Sequence, residues 1–178
     1  VIPRKGLHVL LAALSRLPHS SWRLKVAGSL SADPNYVESI DGQLDRDSLR
    51  DLVHLSDSVS DAELKSLLEK SHLLAVPSYE GFGIVYLEAM SYGLPVIAST
   101  AGAAHEIVTD GETGYLIDPE DIDGLSRRIM ALHQDRTQLL TQSLAARQRY
   151  DSHPTWQQSG GRIINWLAES VATSNVRT

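Results

Sequence analysis

The stretch PSYEGFGIVYLEAMSYGLP, residues 77–95, lies between two apolar runs of strand length, LLAV at 73–76 and VIAS at 96–99. Its own apolar residues, Val85, Leu87, Ala89 and Met90, read as a helix over 82–92. Strand, helix, strand is the unit that joins neighbouring parallel strands. Two residue types do not fit a purely structural segment. Glu80 stands just before Gly81-Phe82-Gly83, and Glu88 sits inside the apolar run. Carboxylates are costly to bury and glycines weaken a helix.

The alternation continues on both sides. Leu7, Leu10, Leu11 and Leu14 recur at helical spacing, predicting a helix over 5–17. Strands are predicted at 22–27, 52–55 and 114–117, and a weak helix or loop at 36–49. Ser60-Asp61-Ala62-Glu63 is a capping box opening a helix over 60–71. Three helices follow at about 121–134, 137–150 and 155–171, with Trp156 and Trp166 on the last read as packing residues. The pattern predicts an α/β fold, a Rossmann-like doubly wound parallel sheet with helices on both faces. One domain is expected over 1–172, with a frayed tail at 173–178. Such a sheet normally begins with a central strand, yet this chain enters a helix almost at once. A first strand is therefore expected to be missing, the chain being an excerpt of a longer one.

Bulk properties narrow the function. The chain has 178 residues, 42% hydrophobic and 21% charged, as in soluble globular proteins. A net charge of −6 gives no footprint for nucleic acid. The absence of cysteine excludes disulfides, thiol catalysis and zinc–thiolate sites. No run is long enough to cross a membrane and no signal peptide opens the chain, so it reads as cytoplasmic. The seven histidines include no pair at i, i+4, and His105-Glu106 continues Ile-Val-Thr rather than completing HExxH. No metal site and no cofactor are expected. P-loop, dinucleotide and serine-hydrolase motifs are also absent.

Ligands of doubly wound sheets bind beyond the carboxyl ends of the strands, where strand order reverses. Three loops should meet there: 2–6, 77–83 and 100–106. Gly81 and Gly83 leave room for a ligand to approach backbone. The free amides of Phe82, Gly83 and Ile84, at the positive end of a helix, suit a phosphate. Glu80 would repel a phosphate and is better cast as an acceptor for sugar hydroxyls. Glu88 needs hydrogen-bond donors, which a ribose diol supplies. From residue 71 to 126 there is no lysine or arginine, so Arg4 and Lys5, on the neighbouring loop, are the candidate cations.

These residues resemble a known family. Glu80 and Glu88, with GFGIVYL between them, match the E-x7-E motif of retaining glycosyltransferases of family 4. RKGLHVLLAAL at 4–14 resembles that family's lysine–glycine helix, and EIVTDGETGYLIDPED at 106–121 its donor-domain tail; the similarity covers roughly residues 3–150. The resemblance implies the carboxyl-terminal, donor-binding half of a GT-B enzyme, the amino-terminal acceptor half lying outside this chain. It implies a metal-independent hexosyltransferase moving sugar from a nucleoside diphosphate sugar to a saccharide, lipid or small metabolite. Any membrane attachment would belong to the absent half, and the isolated half would be inactive. By similarity Lys5 and Glu80 are the catalytic candidates. Arg4 and Lys5 would lie near the diphosphate, with Arg4 standing in part for an arginine upstream. Glu80 would contact the donor sugar, with the amides of Gly81, Phe82, Gly83 and Ile84 at sugar and phosphate, and Glu88 would hold the ribose. Val59 matches the position whose backbone touches the base, and Gly28 the glycine ending the second strand.

The chain departs from the family's Gly-Gly-x-Pro-Glu loop, reading Ala101-Gly102-Ala103-Ala104-His105-Glu106, so the shape of that loop need not follow the family's. Two other functions stay open: a non-catalytic nucleotide-sugar- or partner-binding module, and a sugar-nucleotide epimerase. Taken singly, Glu80 reads as a solvated loop residue, Arg4-Lys5 as a surface pair, Gly28 as a turn glycine and His105 as a loop cap.

Overall fold

A computed structural model of the chain describes residues 1–174. Pro3–Lys5 form a single 3-10 turn, followed by helix α1 at Leu7–Leu14. The helix starts two residues later than its apolar spacing predicts because Gly6 stands in the left-handed region, at φ 70°. Strand β1 is Leu24–Ala27 and strand β2 is Val53–Ser56. Between them, helix α2 spans Pro34–Arg46. Periodicity alone leaves helix and loop open over 36–49, but Asp33-Pro34 marks the start of the helix: Asp33 accepts from the Tyr36 amide and Pro34 occupies the first turn. Helix α3, Asp61–Glu69, opens with the expected capping box, Ser60 and Glu63 each satisfying the other's backbone amide.

Strand β3 is Leu74–Val76, helix α4 Ile84–Ser91, strand β4 Val96–Ser99 and strand β5 Gly114–Ile117. Helices α5 at Ile122–Gln134, α6 at Arg136–Ser152 and α7 at Trp156–Ser174 complete the described chain. Of the tail expected at 173–178, residues 175–178 lie outside the described residues. No helix among the described residues is long and apolar enough to cross a membrane.

Every strand pairing among the described residues is parallel. All four residues of β4 are buried because both faces of that strand are covered. Ile97 points into one core with Leu11, Ile40, Leu44 and Leu125, from α1, α2 and α5. Val96 and Ala98 point into the other, with Tyr86, Met90 and Ala146 from α4 and α6.

The strands form two groups rather than one sheet, β1–β2 and β3–β4–β5. Between β1 and β3 lies a cavity of about 1110 Å³, lined by residues of both strands and by apolar side chains of α1 and α3. Accordingly β3, with the apolar sequence LAV, is only half-buried.

The last helix corrects one expectation. Trp156 and Trp166 are 86% and 65% exposed and belong to neither core. Ile163, Ile164 and Leu167 are exposed with them. Helical periodicity puts apolar residues on a common face, but it does not say that this chain supplies the surface to cover that face.

The β4–β5 register depends on one glycine. Gly114 lies opposite Val96, and a Cβ on it would come within 1.9 Å of the Val96 carbonyl oxygen. Gly114→Ala should therefore destabilise the chain by about 3 kcal/mol, read as a lower urea midpoint with unchanged slope. Gly81→Ala, where a Cβ meets nothing within 4 Å, should leave the midpoint nearly unchanged.

Candidate functional site at the carboxyl ends of the strands

Parallel strands deliver their carboxyl ends to one edge, and the loops leaving that edge hold the candidate residues. The loop after β3 and the 2–6 loop meet first. Gly6 packs on Pro77, where a Cβ would lie 2.6 Å from the Pro77 carbonyl oxygen. This close approach, together with the left-handed backbone, is why position 6 is glycine. It seats the cations of the first loop on the second: Arg4 Nη1 donates to the Tyr79 carbonyl oxygen at 2.8 Å, and Lys5 Nζ donates to Glu80 Oε1.

The loop after β4 approaches from the other side. Glu80 and Gly102 form a backbone bridge, with the Ala103 amide donating to the Glu80 carbonyl oxygen at 2.9 Å. Gly102 holds φ 93°, and a Cβ there would lie 2.4 Å from the Glu80 carbonyl oxygen. The departure at Ala101-Gly102-Ala103-Ala104 thus keeps a glycine where contact with Glu80 requires one. The Ala101 amide donates to Ser99 Oγ, His105 Nδ1 lies 3.2 Å from the Gly102 carbonyl oxygen, and Arg149 donates to the Glu106 carbonyl oxygen. His105 is a loop cap here, with no metal-ligating group of three or more side chains found among the described residues.

All three loops therefore converge on Glu80. Its Oε1 accepts from Lys5 and also from Ser78 Oγ at 2.9 Å, while no described residue bonds Oε2. Partial burial pushes the Glu80 carboxyl up. The hydrogen bonds from Lys5 and Ser78, with the charges of Lys5 and Arg4, outweigh burial and hold it below the ordinary glutamate value. Ser78, 3% exposed, went unnoticed in the sequence, where a serine two residues before a glutamate carries no signal.

Helix α4 begins at Ile84, so Phe82 and Gly83 precede it rather than belonging to it. Gly83 is the N-cap, at φ 79°, and a Cβ on it would lie 2.4 Å from Tyr86 Cδ2. The chain's own packing accounts for this glycine without a ligand. Gly81 has no such explanation, since open space surrounds it. Phe82 and Ile84 are exposed. No carboxylate lies in the first turn of α4, so its leading amides face no competing anion from the helix itself.

Glu88 departs from the expected picture. It is exposed, and among the described residues none gives its carboxylate a hydrogen bond or ion pair, because it lies on the side of α4 turned to the cavity rather than to the core. Nothing internal has to satisfy it. Lys5, Gly28 and Glu88 line the same cavity, whereas Arg4, Val59 and residues 80–84 lie outside its wall. Gly28 ends β1 beside the end of β2, and Asp57 ties the two loops by accepting from the Leu30 and Ser58 amides at 3.1 and 2.7 Å. Val59, half-buried, stands between Asp57 and the α3 cap.

This edge is thus divided into two parts, a β1–β2 part with Gly28 and Val59 and a β3–β4 part with Glu80 and Lys5, the cavity between them. The arrangement offers cations, helix-end amides and acceptor oxygens together. It suits a ligand with an anionic middle and hydroxyl-bearing ends.

Because the folded Glu80 carboxyl titrates below its unfolded value, its contribution is full above about pH 4.3 and is lost as pH falls through the lowered value. Glu80→Gln should therefore melt below wild type at pH 7, and the difference should shrink below about pH 4.3 and close as pH falls through the lowered value. A gap independent of pH would mean that ionisation of Glu80 holds nothing together.

Residues 1–150 match the family described as glycosyl transferases group 1. The chain is 33% identical over 175 residues to the MMP alpha-(1->4)-mannosyltransferase of Mycolicibacterium hassiacum, covering 96% of this chain and 41% of that protein. It is 33% identical over 156 residues to a glycogen synthase of Mycobacterium tuberculosis, covering 86% of this chain and 37% of that protein. The fold is similar to Anabaena HepE in complex with UDP and glucose, with TM-score 0.85 and 28% identity over 94% of this chain and 45% of that one. The chain spans under half the length of these relatives. It belongs to the glycosyl transferases group 1 family and has an α/β, GT-B-like parallel fold.

Proposed function

We propose that this member of glycosyl transferases group 1 is the carboxyl-terminal, donor-binding half of a retaining GT-B hexosyltransferase. The observation that carries the reading is the convergence of three loops on Glu80, beside Lys5 and the start of α4. The similarity to a HepE structure holding UDP and glucose supports it.

A nucleoside diphosphate sugar matches the division of the edge. Its diphosphate takes Lys5 and Arg4, with the amides of Gly81, Phe82, Gly83 and Ile84. Its sugar hydroxyls donate to Glu80. Its ribose diol meets Glu88, whose unpartnered carboxylate is free to accept two hydrogen bonds, and the base lies toward Gly28 and Val59.

In the transfer, the bond from the anomeric carbon to the diphosphate oxygen breaks and a bond to the acceptor oxygen forms on the same face. The acceptor's proton passes to the departing diphosphate oxygen. The chain orients the donor and stabilises the leaving charge, with Lys5 as the nearest cation and Glu80 holding the sugar. The acceptor, a saccharide, lipid or small metabolite, would be bound by an amino-terminal half of the same protein.

The cavity between β1 and β3 fits this placement. Each strand has an edge toward the cavity without a partner strand, and the walls are largely apolar. One further parallel strand, apolar on both faces, would join the two groups into a single sheet. That strand is the central first strand of a doubly wound sheet, and it would carry the chain from the acceptor half.

The test is thermal stabilisation by a panel of UDP, GDP, ADP and their sugars. At ~100 times its dissociation constant, the fitting donor should add about 2.7 kcal/mol. Glu88→Ala should leave the unliganded melting temperature unchanged, because the side chain is exposed and unpartnered, and should weaken the ligand shift. A folded chain stabilised by none of the panel would overturn the reading.

A further inference from the structure

Ser78 carries no signal in the sequence, and the proposed transfer gives it no role. It is buried with Pro77 where the chain leaves β3. Its neighbours hold its backbone there: the Ser78 amide donates to the Val76 carbonyl oxygen at 2.8 Å, and Pro77 packs on Gly6. A buried hydroxyl needs a partner, and most side-chain hydrogen bonds go to backbone or water. The Ser78 hydroxyl instead donates to a carboxylate, Glu80 Oε1, at 2.9 Å. Alanine would fill nearly the same volume, so packing accounts for the size of this side chain and not for its oxygen.

Lys5 and Ser78 share Glu80 Oε1, but they hold it differently. The Lys5 side chain is 42% exposed and turns about four bonds, so keeping it in one place costs rotamer entropy. The Ser78 hydroxyl is enclosed and turns about a single bond. An anion beside Lys5 competes with Glu80 for the ammonium, whereas burial shields the Ser78 hydroxyl from such a competitor. Glu80, with its side chain only 12% exposed, therefore keeps one fixed donor on Oε1 whatever Lys5 does. Oε2, bonded by no described residue, is left with its acceptor capacity unused.

We propose that Ser78 is a positioning residue for Glu80: its buried hydroxyl holds Oε1, so that Oε2 accepts from a hydroxyl of the donor's sugar. The role of the ligand rests on the donor-site reading above, and the contact itself does not. Lys5 then divides its three N–H donors between carboxylate and diphosphate without setting the angle of the carboxylate. The consequence is selective. Ser78 acts on the sugar end of the ligand and is indifferent to the nucleoside diphosphate, so it favours the intact donor over the spent one.

Ser78→Ala and Ser78→Thr, the second keeping the hydroxyl, test this by calorimetric titration with UDP, GDP and ADP and with UDP-glucose, GDP-mannose and ADP-glucose. Ser78→Ala should bind the fitting nucleoside diphosphate as wild type does, and its sugar nucleotide about tenfold more weakly. Ser78→Thr should restore the sugar nucleotide. A serine that merely supports the loop would weaken both ligands alike when replaced. Equal loss for the two, or no loss for the sugar nucleotide, would overturn the proposal. The contact is tested without ligand by crossing Ser78→Ala with Glu80→Ala and measuring urea midpoints at pH 7. The two losses should not add, because each substitution removes the same charged hydrogen bond. Strict additivity would overturn the proposal whether or not nucleotide binds. Non-additivity in a chain that binds none of the six would overturn the donor reading, and the ligand role of Ser78 with it, while upholding the contact.

Discussion

The backbone contact between Glu80 and Gly102 is the constraint on which the rest of the site depends. Because position 102 carries no Cβ, the loop after β4 lies directly against the loop after β3, and the Ala103 amide closes on the Glu80 carbonyl oxygen. With its backbone held there, the Glu80 side chain reaches Ser78 and Lys5. Lys5 is brought in by Gly6 on Pro77, a second approach of backbone to backbone that only glycine permits. Two glycines distant in sequence thus set one carboxylate, which in turn orders the cation beside it.

The two apolar cores explain how this edge is held in place. Strand β4, covered on both faces, anchors the loop of Gly102, and α6 adds a tie through Arg149 to the Glu106 carbonyl oxygen. The β1–β2 pair shares the core of α1 and α2 but has no strand pairing to β3. Its part of the edge, with Gly28 and Val59, is joined to the Glu80 part through helix packing rather than through a hydrogen-bonded ladder.

Much of this was legible from residue order. The strand–helix alternation follows from apolar periodicity, and β4 and β5 fall at the predicted residues because short β-rich runs bounded by turn residues have few alternatives. The capping box of α3 is a local chemical device and appears where its four residues place it. The candidate site was legible as a set of loops, since the carboxyl ends of parallel strands share an edge. Gly83 and Glu88 were misjudged in environment. The ring that demands a glycine at 83, and the direction in which position 88 faces, depend on how α4 sits against its neighbours. Trp156 and Trp166, expected to pack, are exposed for the same reason: burial is a relation between two surfaces, and periodicity describes one.

By itself, then, the sequence determined most element types, the parallel α/β class, the family and the loops that carry chemistry, all of which are local in the chain or set by its pattern. Only the tertiary structure decided that Glu80 holds Lys5 and Ser78 together, and that Gly102 supports it from a loop about 20 residues away. Those facts arise from contacts between segments whose separation along the chain leaves no imprint on local propensity. They exist only once the two cores have formed.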